Sequence, residues 1–405
     1  MKKEKFWQTK KFMVAISFIG LYLLSTGAAW AVFSYINQDP SVIGGDGLSG
    51  ARANLADLPK TEECPINGQL YTEIERDIWS GRRPYTMVIE NHADARPLEG
   101  LHKADVVYEA VAEGGITRYL GVFYCGAAAE NVRVAPVRSA RVYFINLAAG
   151  YGEYPIFAHW GGANNLCGDC PGGTKPTSQI APKVNAFALL EKIGWRVSQG
   201  NDFDPHFDVA APVFMKDYER LGKPIASEHT GFTQTDLIAE EANERGFNYK
   251  YKGVAWDKEF TPWSFVDDTP LASPKADNIS FEFWSNKPDY DVTWKYDKEM
   301  NSYKKFNGST AQTDLATGEQ FTAKNVVIIF TKEEVSIDDE KHNYYEVVGD
   351  GDALVFQNGD VVEAQWNKET MFDRMLFTDE GGNDVSFVRG PVWIEVVAIG
   401  NDIDY

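Results

Sequence analysis

The sequence predicts an α+β (or α/β) N-terminal domain followed by a β-rich C-terminal domain, behind a single N-terminal transmembrane helix. Three observations carry this. A run without charge fills residues 12–36, apolar strand-like runs alternate with helical patterns across 81–250, and short alternating segments with tight-turn dipeptides dominate from 278 onward. The corresponding divisions are a lysine-rich tip and anchor at 1–36, a spacer at 37–80, a first domain at 81–265 and a second at 278–400.

The N-terminal segment is a membrane-insertion signal. Lys2, Lys3, Lys5, Lys10 and Lys11 precede the apolar run, and the first basic residue after it is Arg52. About 20 apolar residues cross the hydrocarbon core, whereas a cleavable signal has an apolar stretch of about 7 to 15. The lysines place the N-terminus in the cytoplasm and the bulk outside. Residues 12–36 are therefore expected to hold the chain in the cell membrane as a single pass. The small residues of Ala29-Trp-Ala31 leave cleavage after Ala31 open, and either way the chain beyond Asp39 is extracytoplasmic.

Cysteine usage agrees with an oxidising compartment. Four cysteines allow three pairings, and the expected one joins Cys64 to Cys125 and Cys167 to Cys170. The alternatives for Cys167-Gly-Asp-Cys170 are a redox pair or half of a zinc site with His159, but the strand-to-helix setting of a thioredoxin motif is missing. Residues 37–80 are rich in Gly, Ala, Asp and Pro and read as spacer.

In the first domain, strands are expected at 85–90, 106–112, 119–124 and 154–158. Ser139 reads as the N-cap of a helix through Tyr143 and Leu147, with Arg141 in its first turn, where helix N-termini attract anions. Further helices are expected at 184–193, with Phe187, Leu190 and Ile193 on one face, and at 235–245, stopped by Gly246. Pro262, Pro270 and Pro274 mark the join to the second domain. There, strands are expected at 281–284, 292–296, 326–330, 344–348, 353–356, 361–366 and 393–398, with turns at Asn307-Gly308, Asp350-Gly351 and Asn358-Gly359. The implied architecture is a sandwich or barrel.

Charge narrows the function. The 405 residues carry a formal net charge of -20, which argues against a nucleic-acid partner, since a phosphate backbone needs a basic face. Against that background Arg82, Arg83, Arg96, Arg118, Arg133, Arg138 and Arg141 are half the arginines of the chain, in about a seventh of its length. A guanidinium offers a planar fork of donors suited to carboxylate, phosphate or sulfate. The alternative use of these arginines is internal pairing with Glu90, Asp94, Asp105, Glu109 and Glu113. No dinucleotide fingerprint, phosphate-binding glycine loop or metal-ligand spacing appears, so no cofactor or resident metal is expected, with cation binding by surface acids left open.

Several blocks carry a family resemblance: Arg83-Pro-Tyr-Thr-Met-Val-Ile-Glu-Asn-His92, Arg96-Pro-Leu-Glu-Gly-Leu101, Ala104-Asp-Val-Val-Tyr-Glu109, Glu113-Gly-Gly-Ile-Thr-Arg118 and Pro136-Val-Arg-Ser-Ala-Arg141. They resemble the N-terminal domain of the YerB-like family, envelope-exposed bacterial proteins with a two-part domain of unknown function. Tyr296-Asp297, Tyr303, Asp314, Ala323-Lys-Asn-Val326 and Trp366-Asn-Lys368 are similar to its second domain. Relatives are often lipoproteins, yet no cysteine follows the apolar segment here, so a protein anchor would replace the lipid. The resemblance implies location and fold and supplies no reaction.

Three roles remain open. The first is a binding module in which Arg118, Arg138, Ser139, Arg141, His159, Asn91 and His229 receive an anionic cell-wall polymer or peptide, the glycines beside His159 allowing close backbone approach. The second is an enzyme on envelope glycopolymers, hydrolase or phosphate/glycosyl transferase. Glu109 and Glu113, four apart on a strand, would share a face and form a carboxylate pair. A Ser139 nucleophile with His159 or His229 lacks the expected elbow sequence. The third is a scaffold offering aromatic faces to an envelope protein partner.

Overall fold

The structure is a computed structural model that describes residues 55, 58–164 and 180–405. The expected transmembrane segment at 12–36 and the Cys167–Cys170 pair lie outside the described residues. Among the described residues no helix is long and apolar enough to cross a membrane.

The core is one mixed sheet of ten strands that runs through both halves of the sequence. Its strands are β1 (Tyr85–Glu90), β2 (Val106–Glu113), β3 (Ile116–Phe123), β4 (Ile156–Ala158) and β5 (Asp202–Phe203) from the first half. The second half supplies β9 (Asn325–Thr331), β10 (Gly349–Gln357), β11 (Asp360–Lys368), β12 (Leu376–Asp379) and β13 (Val392–Ala398). Their spatial order is β12-β11-β10-β9-β13-β2-β3-β1-β4-β5. The seam is β13, which pairs parallel with β9 on one side and with β2 on the other. Strands β1, β2 and β13 are near-continuous runs of Val, Ile, Tyr and Trp, as expected of strands covered on both faces, and nearly every residue in them is buried.

A second sheet covers one face. It is built on β6 (Asn278–Phe281), β7 (Val292–Asp297) and β8 (Ser302–Asn307), with short strands Thr310–Ala311 and Thr322–Ala323 added. Trp294 of β7 meets Trp393 of β13 edge-on, with ring centroids 5.1 Å apart, and Tyr119 of β3 also meets Trp393 edge-on at 5.3 Å. The expected self-contained sandwich or barrel is therefore corrected. The second-half strands do stack sheet on sheet, but one of the two sheets is completed by the first half. Trp366 and Trp393 are buried and present no aromatic face to a partner.

Four helices are described: α1 (Glu73–Ser80), α2 (Val142–Ala148), α3 (Ala186–Lys192) and α4 (Thr235–Glu244). Helix α1 falls in the expected spacer and is a second correction. Thr72 and Glu75 cap each other's backbone N–H groups, and Ile78 and Trp79 bury one face. The segment is also tied down by a disulfide between Cys64 and Cys125, both fully buried. Helix α2 begins two residues later than its sequence indicated. Arg141 occupies the N-cap, and the Ser139 hydroxyl donates to Trp160 O at 3.1 Å instead of capping. Asp350-Gly351 is not a turn but part of β10, where the missing side chain of Gly351 leaves room for the Trp366 indole and Phe330 O. Asn358-Gly359 does turn β10 into β11, both residues at positive φ.

Candidate functional site

Several loops converge over the ends of β1 and β3. Glu90 and Arg118 are register partners there, and the 136–141 segment is held to this edge by Glu90 N–H donating to Pro136 O and Arg138 N–H donating to Val88 O. The Trp160 N–H in turn donates to Arg138 O, which brings the Gly161-Gly162 segment alongside.

Arg118, Arg138 and Arg141 do come together, around two carboxylates. Glu113 accepts from Arg118 Nη2 at 2.6 Å and from Arg141 Nη2 through both oxygens at 2.8 and 2.7 Å. Glu90 faces Arg138 Nε at 3.1 Å and the His229 Nδ1 at 2.9 Å. Burial alone would push the Glu113 carboxyl up, but Arg118 and Arg141 together hold it well below the usual carboxylate range. Burial lowers the Arg118 guanidinium to about 10, helped by the proximity of Arg141. The Glu90 hydrogen bond raises the His229 imidazole. The side chains of Arg118 and Arg141 are only 6 % and 5 % exposed, whereas Arg138 keeps 25 %.

The other expected site residues are placed differently. Glu109 and Glu113 do not form a carboxylate pair. The strand register shifts between Val111 and Glu113, a bulge of one residue that reverses which face Glu113 points to. Glu109 points with Thr117 toward the second sheet, and its carboxylate accepts from Thr117 Oγ1 at 2.6 Å, Asn91 Nδ2 at 3.1 Å and Lys305 Nζ at 2.7 Å. Lys305 also bonds Glu395 at 2.9 Å, and all three charged groups are fully buried. Asn91 is thus a buried linker, its oxygen accepting from Arg96 Nε at 2.9 Å. His159 is likewise fully buried. Its Nε2 lies 2.5 Å from Asp202 Oδ1 and its Nδ1 2.7 Å from Gly161 O. Two acceptors call for a proton on each nitrogen. Although burial lowers the imidazole, Asp202 and Asp204 more than compensate and raise it. Arg196 completes this network by donating to Asp202 and Asp204 at 2.6 and 3.1 Å.

Internal pairing accounts for only part of the arginine cluster. Arg83 donates to four backbone carbonyls, of Phe247, Asn248, Glu153 and Tyr154, and Arg82 to Tyr124 O, so these two staple loops to the sheet edge. Arg133 pairs with Asp217 at 2.6 Å. Two clefts lie away from this cluster. One of about 720 Å³ is lined by Glu282, Asp291, Asp402 and Asp404, and one of about 550 Å³ by Arg96 and Asp289. Neither includes Arg118, Arg138 or Arg141.

Sequence reasoning missed Lys305, Glu395, Asp202 and Arg196. The available signal was Glu395, a lone charge inside the apolar run 392–398.

The two parts of the sequence that build this sheet match the two domains of one family. Residues 71–248 match the family described as "Protein of unknown function (DUF3048) N-terminal domain", residues 279–394 match its "C-terminal domain", and the chain belongs to this YerB-like family. It is similar to "Putative lipoprotein YerB" of Bacillus subtilis (strain 168), 28% identical over 344 residues, which are 85% of this chain and 88% of that protein. It is also similar to the crystal structure of YerB protein from Bacillus subtilis, with a TM-score of 0.63 and 27% identity over 85% of this chain and 100% of that one.

Proposed function

We propose that the protein is a membrane-tethered, extracytoplasmic member of its family that binds an anionic group of a cell-wall polymer or peptide at the surface around Arg138. The observation that carries this is the difference among the three clustered arginines. Arg118 and Arg141 are nearly buried and satisfied by Glu113, while Arg138 keeps a quarter of its side chain open. Three guanidiniums, Arg118, Arg138 and Arg141, face two carboxylates, Glu90 and Glu113, so this cluster of five side chains carries one net positive charge in an otherwise acidic protein. An anion arriving at Arg138 therefore meets a fork held in place by Glu90 and backed by two further cations.

The envelope location rests on the apolar run at 12–36, on the buried disulfide that suits an oxidising compartment, and on the similarity to the "Putative lipoprotein YerB" of Bacillus subtilis. Binding is preferred to hydrolysis because Glu113, held ionised between two guanidiniums, is a poor proton donor and Glu109 is sealed from solvent.

The test is Arg138→Ala. Affinity for anionic peptidoglycan or wall-polymer fragments, measured by calorimetric titration of the full chain in detergent, is expected to fall at least tenfold while circular dichroism shows the fold retained. Undiminished affinity would remove Arg138 as the binding residue.

A further inference from the structure

Beside the arginine patch, the fold brings two histidines and an aspartate to one place from distant parts of the sequence. His92 precedes the short turn Ala93–Ala95, and His229 ends the turn Ser227–His229. Their rings stack with centroids 5.0 Å apart and 26° between planes. One nitrogen of each ring and one carboxylate oxygen of Asp94 all lie within 4.8 Å of one another. We propose that His92, His229 and Asp94 form a binding site for a divalent cation of the zinc class, with Glu90 as the carboxylate that orients His229.

The chemistry of the donors points to that class. Two imidazoles and a carboxylate suit a borderline cation such as Zn²⁺, whereas Ca²⁺ and Mg²⁺ call for oxygen donors. The orientation of His229 is that of a metal ligand. Its Nδ1 is committed to Glu90 Oε2 at 2.9 Å, which leaves Nε2 for a cation, and a carboxylate on the far nitrogen fixes the tautomer and raises the basicity of the ligating one. Glu90 is itself only 4 % exposed and is anchored by Arg138, so this support is rigid.

The His92 side of the site is also braced. The Ala93 N–H donates to Tyr290 Oη at 3.2 Å, and Arg96 donates to Asn91 Oδ1 and to Asp289 O, at 2.9 and 2.8 Å. The Asp94 N–H donates to His92 Nδ1 at 3.2 Å, a contact that a cation taking that lone pair would displace. The cation would close the ligands to the roughly 3.3 Å spacing that zinc–nitrogen bonds of about 2.0–2.1 Å imply. Room for that adjustment exists because the His92 and Asp94 side chains are 33% and 80% exposed.

Acidic groups adjoin the spot. Glu90, Asp94 and the exposed Glu228, whose charge reaches both imidazoles, contribute three negative charges, and Arg138 contributes one positive. This site does not depend on the anion-binding reading of Arg138, although a cation here would add positive charge to the same surface.

The test is a Zn²⁺ titration of the purified full chain in detergent against a chromophoric chelator, in a background with Cys167→Ser and Cys170→Ser so that thiols do not contribute. One saturable equivalent is expected. The His92→Ala/His229→Ala double variant should lower the affinity at least 100-fold and Glu90→Gln about 10- to 100-fold, as is typical for partners of metal-bound histidines. If replacement of His229 disturbs folding, His92→Ala with Asp94→Asn, both on exposed side chains, carries the same expectation with an unchanged melting curve in the absence of zinc. Absence of a saturable equivalent, or an equivalent that survives either double variant, would overturn the site.

Discussion

Lys305 sits between two sheets with both neighbouring carboxylates and no solvent. It bonds Glu109 and Glu395 at 2.7 and 2.9 Å and lies 4.7 Å from the ring centres of Trp294 and Trp393. Burial pushes the Glu395 carboxyl up against the pull of Lys305, with Glu109 adding to the rise. Removing the one ammonium leaves two buried carboxylates without a countercharge, so Lys305→Met is expected to cost about 3–5 kcal/mol in urea unfolding. Replacing all three groups with apolar residues should cost less than that single change, and a single change costing under about 1 kcal/mol would contradict the assignment. Glu113 makes a different prediction because it titrates. Its folded carboxyl is depressed below the unfolded value, so its stabilising effect is fully present above the ordinary glutamate range and is lost as pH falls through the folded value. Glu113→Gln should therefore destabilise by about 2 kcal/mol at pH 7, with the gap to the parent shrinking below about pH 4. A gap independent of pH would show that the charge is not what matters.

At the scale of elements, the same strand shows what sequence can and cannot carry. Strands β1, β2 and β13 were legible because runs of Val, Ile, Tyr and Trp have few other homes. The carboxylate pair on β2 failed on one extra residue, since parity along a strand reverses at a bulge and nothing in Val111-Ala-Glu113 announces one. The arginine cluster was legible as composition, but its division into staples, buried pairs and the open Arg138 depends on contacts between segments up to about 165 residues apart. Helix α1 was missed because its capping box at Thr72 and Glu75 follows a loop-like composition. The same region contains Cys64, whose bond to Cys125 closes 61 residues. By loop-closure entropy, the Cys64→Ser/Cys125→Ser double variant should lose about 4 kcal/mol, read as a shift in denaturant midpoint. A loss under about 1 kcal/mol would mean that the loop is already constrained in the unfolded chain.

For the whole molecule, the point of the architecture is that the last long strand, β13, lies between β9 and β2, so both matched family regions build one sheet. The sequence indicated two successive domains because the change from mixed to β-rich composition near residue 270 is real, while strand order is not encoded in composition. The lysine and carboxylate cluster lies on this seam, and the arginine edge stands at the ends of β1 and β3, a few residues from it in sequence. On the proposed binding reading, a rigid sheet holding Glu90 and Glu113 at its edge keeps the guanidiniums preset for an anion. The most direct test of that claim changes the ligand rather than the protein. The heat stability of the full chain is measured with an anionic cell-wall fragment and with the same fragment after its charged groups have been neutralised by amidation or dephosphorylation. The account predicts a rise in melting temperature with the charged fragment, weakened by salt, and none with the neutral one. Equal shifts from both would contradict it.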